Sequence, residues 1–149
     1  MGHELTKNDI KKMEEEIEYR IHEVRKAALD DVKETRAQGD LSENFEYHAA
    51  KRFKNKNESR IRYLQRTIKN ATVIDDSSAD DEVGVNNTVE VLYEDDESTE
   101  TIKIVTTIRA DSLSGMISIE SPLGKALLGI RRVTGCLYRL IHRLNIMLL

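Results

Sequence analysis

Two different periodicities, separated by an aspartate-rich stretch, predict an α+β chain in which a long antiparallel helical hairpin (a coiled coil) precedes a small β-rich domain. Apolar residues first recur in steps of three and four, at Ile10, Met13, Ile17, Ile21, Val24, Ala28 and Val32. The rhythm resumes at Tyr47, Ala50, Ile61, Leu64, Ile68 and Ala71. Such steps place side chains on one helix face. After residues 75–81 the step changes to two, at Val89, Val91 and Tyr93 and at Ile102, Ile104 and Thr106, the pattern of strands.

The first helix is expected over residues 9–37, about 43 Å long at 1.5 Å per residue. Thr6 or Asn8 suits its cap, and Gly39 suits the left-handed position after its end. Helices this long without a surrounding globule are stable only when paired. The short Gly39-Asp40 reversal makes an antiparallel partner the economical one. Lys54 and Asn57 interrupt the second seam, and Phe53 is expected to compensate. This hairpin domain is read as residues 1–75. Residues 76–82, polar and without periodicity, form a linker. A C-terminal domain follows over 83–149, with a polar turn at 94–100 and a third strand at 116–119. Ser121 as cap, Pro122 in the first turn and Gly129 as stop then define one short helix.

Composition narrows the class. Of 149 residues, 34% are charged and only 5% aromatic, which suits exposed helices better than one large core. A net charge of -4 argues against binding nucleic acid over the whole surface. The single Cys136 excludes an internal disulfide framework, and nothing resembles a secretory signal. No apolar run reaches the roughly 18 residues of a membrane span. A cytoplasmic protein without membrane attachment is expected.

The chemistry concentrates between the two helices, in Gly39-Asp40-Leu41-Ser42-Glu43-Asn44-Phe45-Glu46-Tyr47-His48. Asp40 with Glu43 three residues later satisfies a capping box, and acids favour a helix N-terminus. The alternative is functional: two carboxylates at a hairpin tip, too few to cage a metal, suit a hard cation such as Mg²⁺ shared with another macromolecule. Mg²⁺ ions held in pairs activate water and stabilise the leaving oxygen in phosphodiester hydrolysis.

The string GDLSENFEYHAAK resembles the tip of the Gre-type bacterial transcript cleavage factors, the GreA and GreB family of transcription elongation factors, with an overall lean towards GreA. The first helix, the segment ESRIRYLQRTIKNATVID and the segment ISIESPLGKALLG are similar to family segments too, so the resemblance runs in order from about residue 4 to 129. It implies a monomer whose hairpin enters the secondary channel of bacterial RNA polymerase. Asp40 and Glu43 would there help hold the second Mg²⁺ for cleavage of backtracked RNA at its 3′ end. The polymerase, not this chain, would be the nuclease, and no metal would bind tightly to the isolated protein. Leu41, Ser42, Asn44 and Tyr47 match the tip motif and are expected to position it. The resemblance further implies an FKBP-like C-terminal fold that grips the channel rim, with Ser121 and Pro122 near the docking surface. The rival readings are a channel-blocking regulator and a coiled-coil adaptor, both without cleavage activity.

On the second helix, Lys51, Arg52, Lys56 and Arg60 belong to a cationic stretch, and Arg52, Lys56 and Arg60 are spaced by four. This is either a solvated surface balancing the acidic first helix or a face that holds the RNA through its phosphates. The four histidines are scattered without zinc-site spacing, and His48 is expected to pack or hydrogen-bond.

After Gly129 the resemblance stops, and residues 130–149 read IRRVTGCLYRLIHRLNIMLL. Codons exist for residues 129–149 whose shifted frame spells HKAGDRVSISVNPSLEYYVV, a Gly-Asp turn with alternating strands. The reading is a frameshift near codon 130, leaving the C-terminal domain incomplete and its sheet with an unpaired edge.

Overall fold

The structure is a computed structural model and describes residues 2–39, 44–93, 96–131, 137–140 and 144–148. Residues 1–2 and 7–71 form one compact unit, and residues 3–6 with 72–149 form another.

The first unit is the helical hairpin. Helix α1 (Lys7–Tyr19) continues through a π-turn (Arg20–Val24) into α2 (Arg25–Ala37), and α3 (Phe45–Lys69) packs antiparallel along all three. The helix begins at Lys7, so Asn8 lies inside its first turn rather than at its cap. The seam contains the predicted residues, with Met13, Ala28, Ala50, Ile61 and Leu64 buried. Asn57 is buried too, and Phe53 is 54% exposed, so the expected compensation does not occur. Instead Asn57 fills its own gap by hydrogen bonding. Its Nδ2 donates to the Arg20 carbonyl at 3.3 Å, and its Oδ1 accepts from the Arg20 guanidinium at 3.1 Å. A buried amide satisfied in this way avoids the cost of desolvating an unpaired polar group.

The π-turn is one residue wider than an α-helical turn, its closing bond running from the Arg25 N–H to the Arg20 carbonyl.

In the second unit, β1 (Glu4–Thr6) pairs in parallel with β2 (Thr72–Ile74), bringing the chain's start beside the segment after α3. Neither strand is predicted by the sequence reading. A five-stranded sheet follows in the order β5-β4-β3-β7-β6. Its elements are β3 (Thr88–Tyr93), β4 (Ser98–Val105), β5 (Met116–Ser118), β6 (Leu137–Leu140) and β7 (Leu144–Leu148). Strands β3 and β4 are antiparallel from Thr88↔Lys103 to Tyr93↔Ser98, so the turn between them is shorter than the predicted 94–100. β-Branched Thr99 and Thr101 extend the ladder towards it. Val83, Val85, Val91, Ile102, Ile104, Ile119 and Leu127 form the core.

Helix α4 (Pro122–Leu127) starts as predicted. The Ser121 hydroxyl accepts the Gly124 N–H at 2.9 Å, Pro122 opens the first turn, and Gly129 follows with φ +81°. Gly124 is required here because a Cβ would meet the Ser118 carbonyl oxygen at 1.9 Å. The expected unpaired edge is corrected. Strand β7 pairs antiparallel with β3 over Val91↔Leu148 to Tyr93↔Ile146, and β6 pairs with β7. The apolar, strand-forming run at 144–148 supplies the backbone partners that β3 needs, whatever its side chains.

Candidate functional site

The hairpin's distal end is held by one asparagine. Asn44 is the N-cap of α3, its Oδ1 accepting the Tyr47 N–H at 3.0 Å, while its carbonyl accepts the His48 N–H at 3.1 Å. Its Nδ2 reaches across to the Thr35 carbonyl at 2.7 Å. That carbonyl is among the last four of α2, which lack partners inside their own helix. The bond therefore satisfies a loose end of one helix with the cap of the next. Thr35 is buried, and its hydroxyl donates back to the Asp31 carbonyl at 2.8 Å. Gln38 and Gly39 (φ +138°) then lead into the connection. Both ends of the segment carrying Asp40, Leu41, Ser42 and Glu43 are thus tied to each other. Those four residues, including both predicted carboxylates, lie outside the described residues.

Tyr47 is half-buried one turn into α3, its ring edge-on to His48 with centroids 5.5 Å apart. Beside this neck, an open cleft of about 380 Å³ is lined by Asp31, Thr35, Glu46, Ala49, Ala50 and Phe53. Among the described residues, no group of three or more His, Cys, Asp or Glu side chains is placed to hold a metal ion.

The cationic residues of α3 divide into two kinds. Lys51, Arg52 and Lys56 are exposed and make no ion pair among the described residues. Arg60 is engaged: it grips Glu16 with two hydrogen bonds of 2.9 and 3.1 Å, and its guanidinium lies 5.4 Å from the centre of the Tyr63 ring. Glu16 also accepts from Arg20 at 2.7 Å. These guanidinium contacts, chiefly that of Arg60, hold the Glu16 carboxyl below the usual range against a desolvation effect of opposite sign. A second clamp joins Arg25 to Glu58 at 2.7 and 2.9 Å, and that hydrogen-bonded partner lowers the Glu58 carboxyl in the same way. Thr35, Glu16, Arg25 and Glu58 are absent from the sequence-predicted set. Only the step of three after Val32 could have flagged Thr35. Cross-helix charge pairs leave no trace until the register is known.

In the second unit, Ser121 is half-buried and Pro122 exposed. Ser121 is committed structurally, its hydroxyl donating to the Ser118 carbonyl at 2.7 Å while it caps α4. Ser118 in turn shares a 2.8 Å hydroxyl contact with Thr107. No helix among the described residues is long and apolar enough to cross a membrane.

Comparison with known proteins fits this geometry. The chain matches the family model "Transcription elongation factor, N-terminal" over residues 3–73. It matches "Transcription elongation factor, GreA/GreB, C-term" over 78–133. It is 40% identical to transcription elongation factor GreA of Agrobacterium fabrum over 84% of this chain and 80% of that protein. With GreA of a Chelativorans species the identity is 44%, over 78% and 75%. Among solved structures, the transcription factor Gfh1 shares the fold at a TM-score of 0.50 and 24% identity, over 98% of this chain and 94% of the other. Two family models that between them take in both units, together with relatives at this identity, place the chain in the GreA/GreB family of transcription elongation factors.

Proposed function

We propose that this chain acts on bacterial RNA polymerase in the cytoplasm, as a monomer whose hairpin enters the secondary channel and stimulates cleavage of backtracked RNA. The polymerase performs the hydrolysis. Asp40 and Glu43 add two hard oxygen donors to its active centre and help hold a shared Mg²⁺ ion. Two carboxylates fit such an ion only as part of a larger donor set, which explains why none should bind tightly to the isolated chain. Bound there, Mg²⁺ supplies activation of water and stabilisation of the leaving oxygen. Leu41 and Ser42 orient the connection, and Asn44 with Tyr47 anchors it. The surface near Ser121 and Pro122 docks on the channel rim.

One observation carries the reading: the cap of α3 is Asn44. The capping-box explanation for Asp40 and Glu43 therefore loses its purpose, because the helix they would cap already has a cap four residues after Asp40. The carboxylates stand in a string resembling the cleavage-factor tip, on a chain of that family.

The test uses stalled, backtracked elongation complexes with Asp40→Ala and Glu43→Ala. Each substitution should cut stimulated cleavage by at least tenfold while polymerase binding persists, since the groups act on the reaction rather than on docking. Unchanged cleavage with retained binding would reduce the protein to a channel blocker. Loss of polymerase binding by the unsubstituted chain would leave only an adaptor role.

A further inference from the structure

The cleft at the hairpin's neck combines an apolar floor, an open ring and two carboxylates from different helices. Glu46, Ala49, Ala50 and Phe53 share one face of α3, and Asp31 and Thr35, one turn apart on α2, line the same hollow. The short Ala49 and Ala50 side chains floor it, and Phe53 presents a ring that is 54% exposed. Asp31 and Glu46 are exposed and make no ion pair among the described residues. The adjoining connection, residues 40–43, adds two more acids and no Lys or Arg. Further along the hairpin the pattern is different. There Glu16 is met by Arg20 and Arg60, and Glu58 by Arg25. At the neck two helices supply the carboxylates and neither supplies the cation.

That composition selects a ligand. The carboxylates repel phosphates, which excludes RNA. Two of them are too few to cage a metal, and no group of three or more His, Cys, Asp or Glu side chains is placed to do so among the described residues. A guanidinium fits every feature of the cleft. Its alkyl stem covers the alanines, its plane stacks on the Phe53 ring, and its forked N–H groups donate to the carboxylates. An ammonium has neither the plane nor the fork.

We infer that the neck cleft receives an arginine side chain of RNA polymerase, stacked on Phe53 and paired with Asp31 and Glu46. The inference rests on the proposed entry of the hairpin into that enzyme and deepens it. A grip at the neck, directly behind the segment carrying Asp40 and Glu43, stops the hairpin at one depth.

The experiment measures binding of the fluorescently labelled full chain to polymerase by anisotropy. The double variant Asp31→Asn, Glu46→Gln should bind about five-fold more weakly or worse, and Phe53→Ala about three-fold more weakly, while Phe53→Trp binds as the unsubstituted chain does. All four side chains involved are exposed or of equal size after exchange, so helicity and melting by circular dichroism should not change. The control Glu14→Gln, Glu18→Gln removes two exposed carboxylates of α1 and should leave binding intact. Phenylglyoxal, which modifies accessible arginines, then identifies the partner. Mass spectrometry should find a polymerase arginine protected by the unsubstituted chain and modified when the double variant is bound to the same occupancy. Unchanged affinity of the double variant, an equal loss in the control, or no such arginine would each overturn the inference, while stimulated cleavage by the unsubstituted chain would still uphold the proposed function. Failure of the unsubstituted chain to bind polymerase would overturn both.

Discussion

Asn44 is where a single side chain controls the most. It caps α3, receives the Tyr47 N–H and donates to the Thr35 carbonyl, so one amide joins the last turn of α2 to the first turn of α3. Replacing it by Ala removes a cap, which costs about 0.5–2 kcal/mol. It also leaves the Thr35 carbonyl with only the longer 3.3 Å bond from the Gln38 N–H. Asn44→Ala should therefore lower hairpin stability by about 1–2 kcal/mol in urea denaturation. Its effect on stimulated cleavage should be larger than that loss explains, because small misplacements of reacting groups are costly. Asn44→Asp, which keeps the capping oxygen and loses the donor to Thr35, separates the two effects. The sequence pointed to Asn44 through its family-like string, whereas Thr35 was hidden, being an ordinary threonine until its carbonyl is seen facing the cap.

At the scale of elements, the hairpin is held by an apolar seam and two guanidinium–carboxylate clamps, Glu16–Arg60 and Arg25–Glu58. Both carboxyls have lowered values in the folded state, so the stability they contribute is complete above the ordinary carboxylate range. It is lost as pH falls through their lowered folded-state values. The pairs are partly exposed, so solvent screening keeps the contribution of each small. The thermal midpoint of the hairpin should fall on acidification, and Glu16→Gln with Glu58→Gln should flatten that fall, measurable by circular dichroism. Helical periodicity made α1, α2 and α3 legible in the sequence, since each has several turns over which to repeat. Asn57 looked like a defect because periodicity cannot show that a π-turn opposite offers its amide a carbonyl. Strands β1, β2, β6 and β7 were missed because none of them shows a sustained apolar alternation.

For the whole molecule, the chain divides into two compact units, and β6 and β7 pair into the sheet of the second. Truncation after Arg131 removes β6 and β7 and opens the edge of β3. Amide exchange at Val91, Leu92 and Tyr93 should quicken, while protection across 50–67 in α3 stays unchanged. Loss of protection in both regions would mean that the units do not fold independently. The sequence anticipated the helical hairpin and the small β-rich domain, and it marked the tail as unlike its relatives. It did not anticipate that an unfamiliar tail would still complete a ladder, because backbone pairing asks little of side-chain identity.

The π-turn at Arg20–Val24 makes the hairpin behave like a screw thread with one deliberate slip. Each residue of helix advances the chain by about 1.5 Å and turns it by about 100°. Deleting one residue there would let the first helix run straight, and everything distal to it would have to rotate or shift to keep its seam. The surplus residue sets the azimuth at which α2 delivers Thr35 to Asn44. The angular aim of whatever the hairpin carries beyond that point is thus decided some twenty residues upstream.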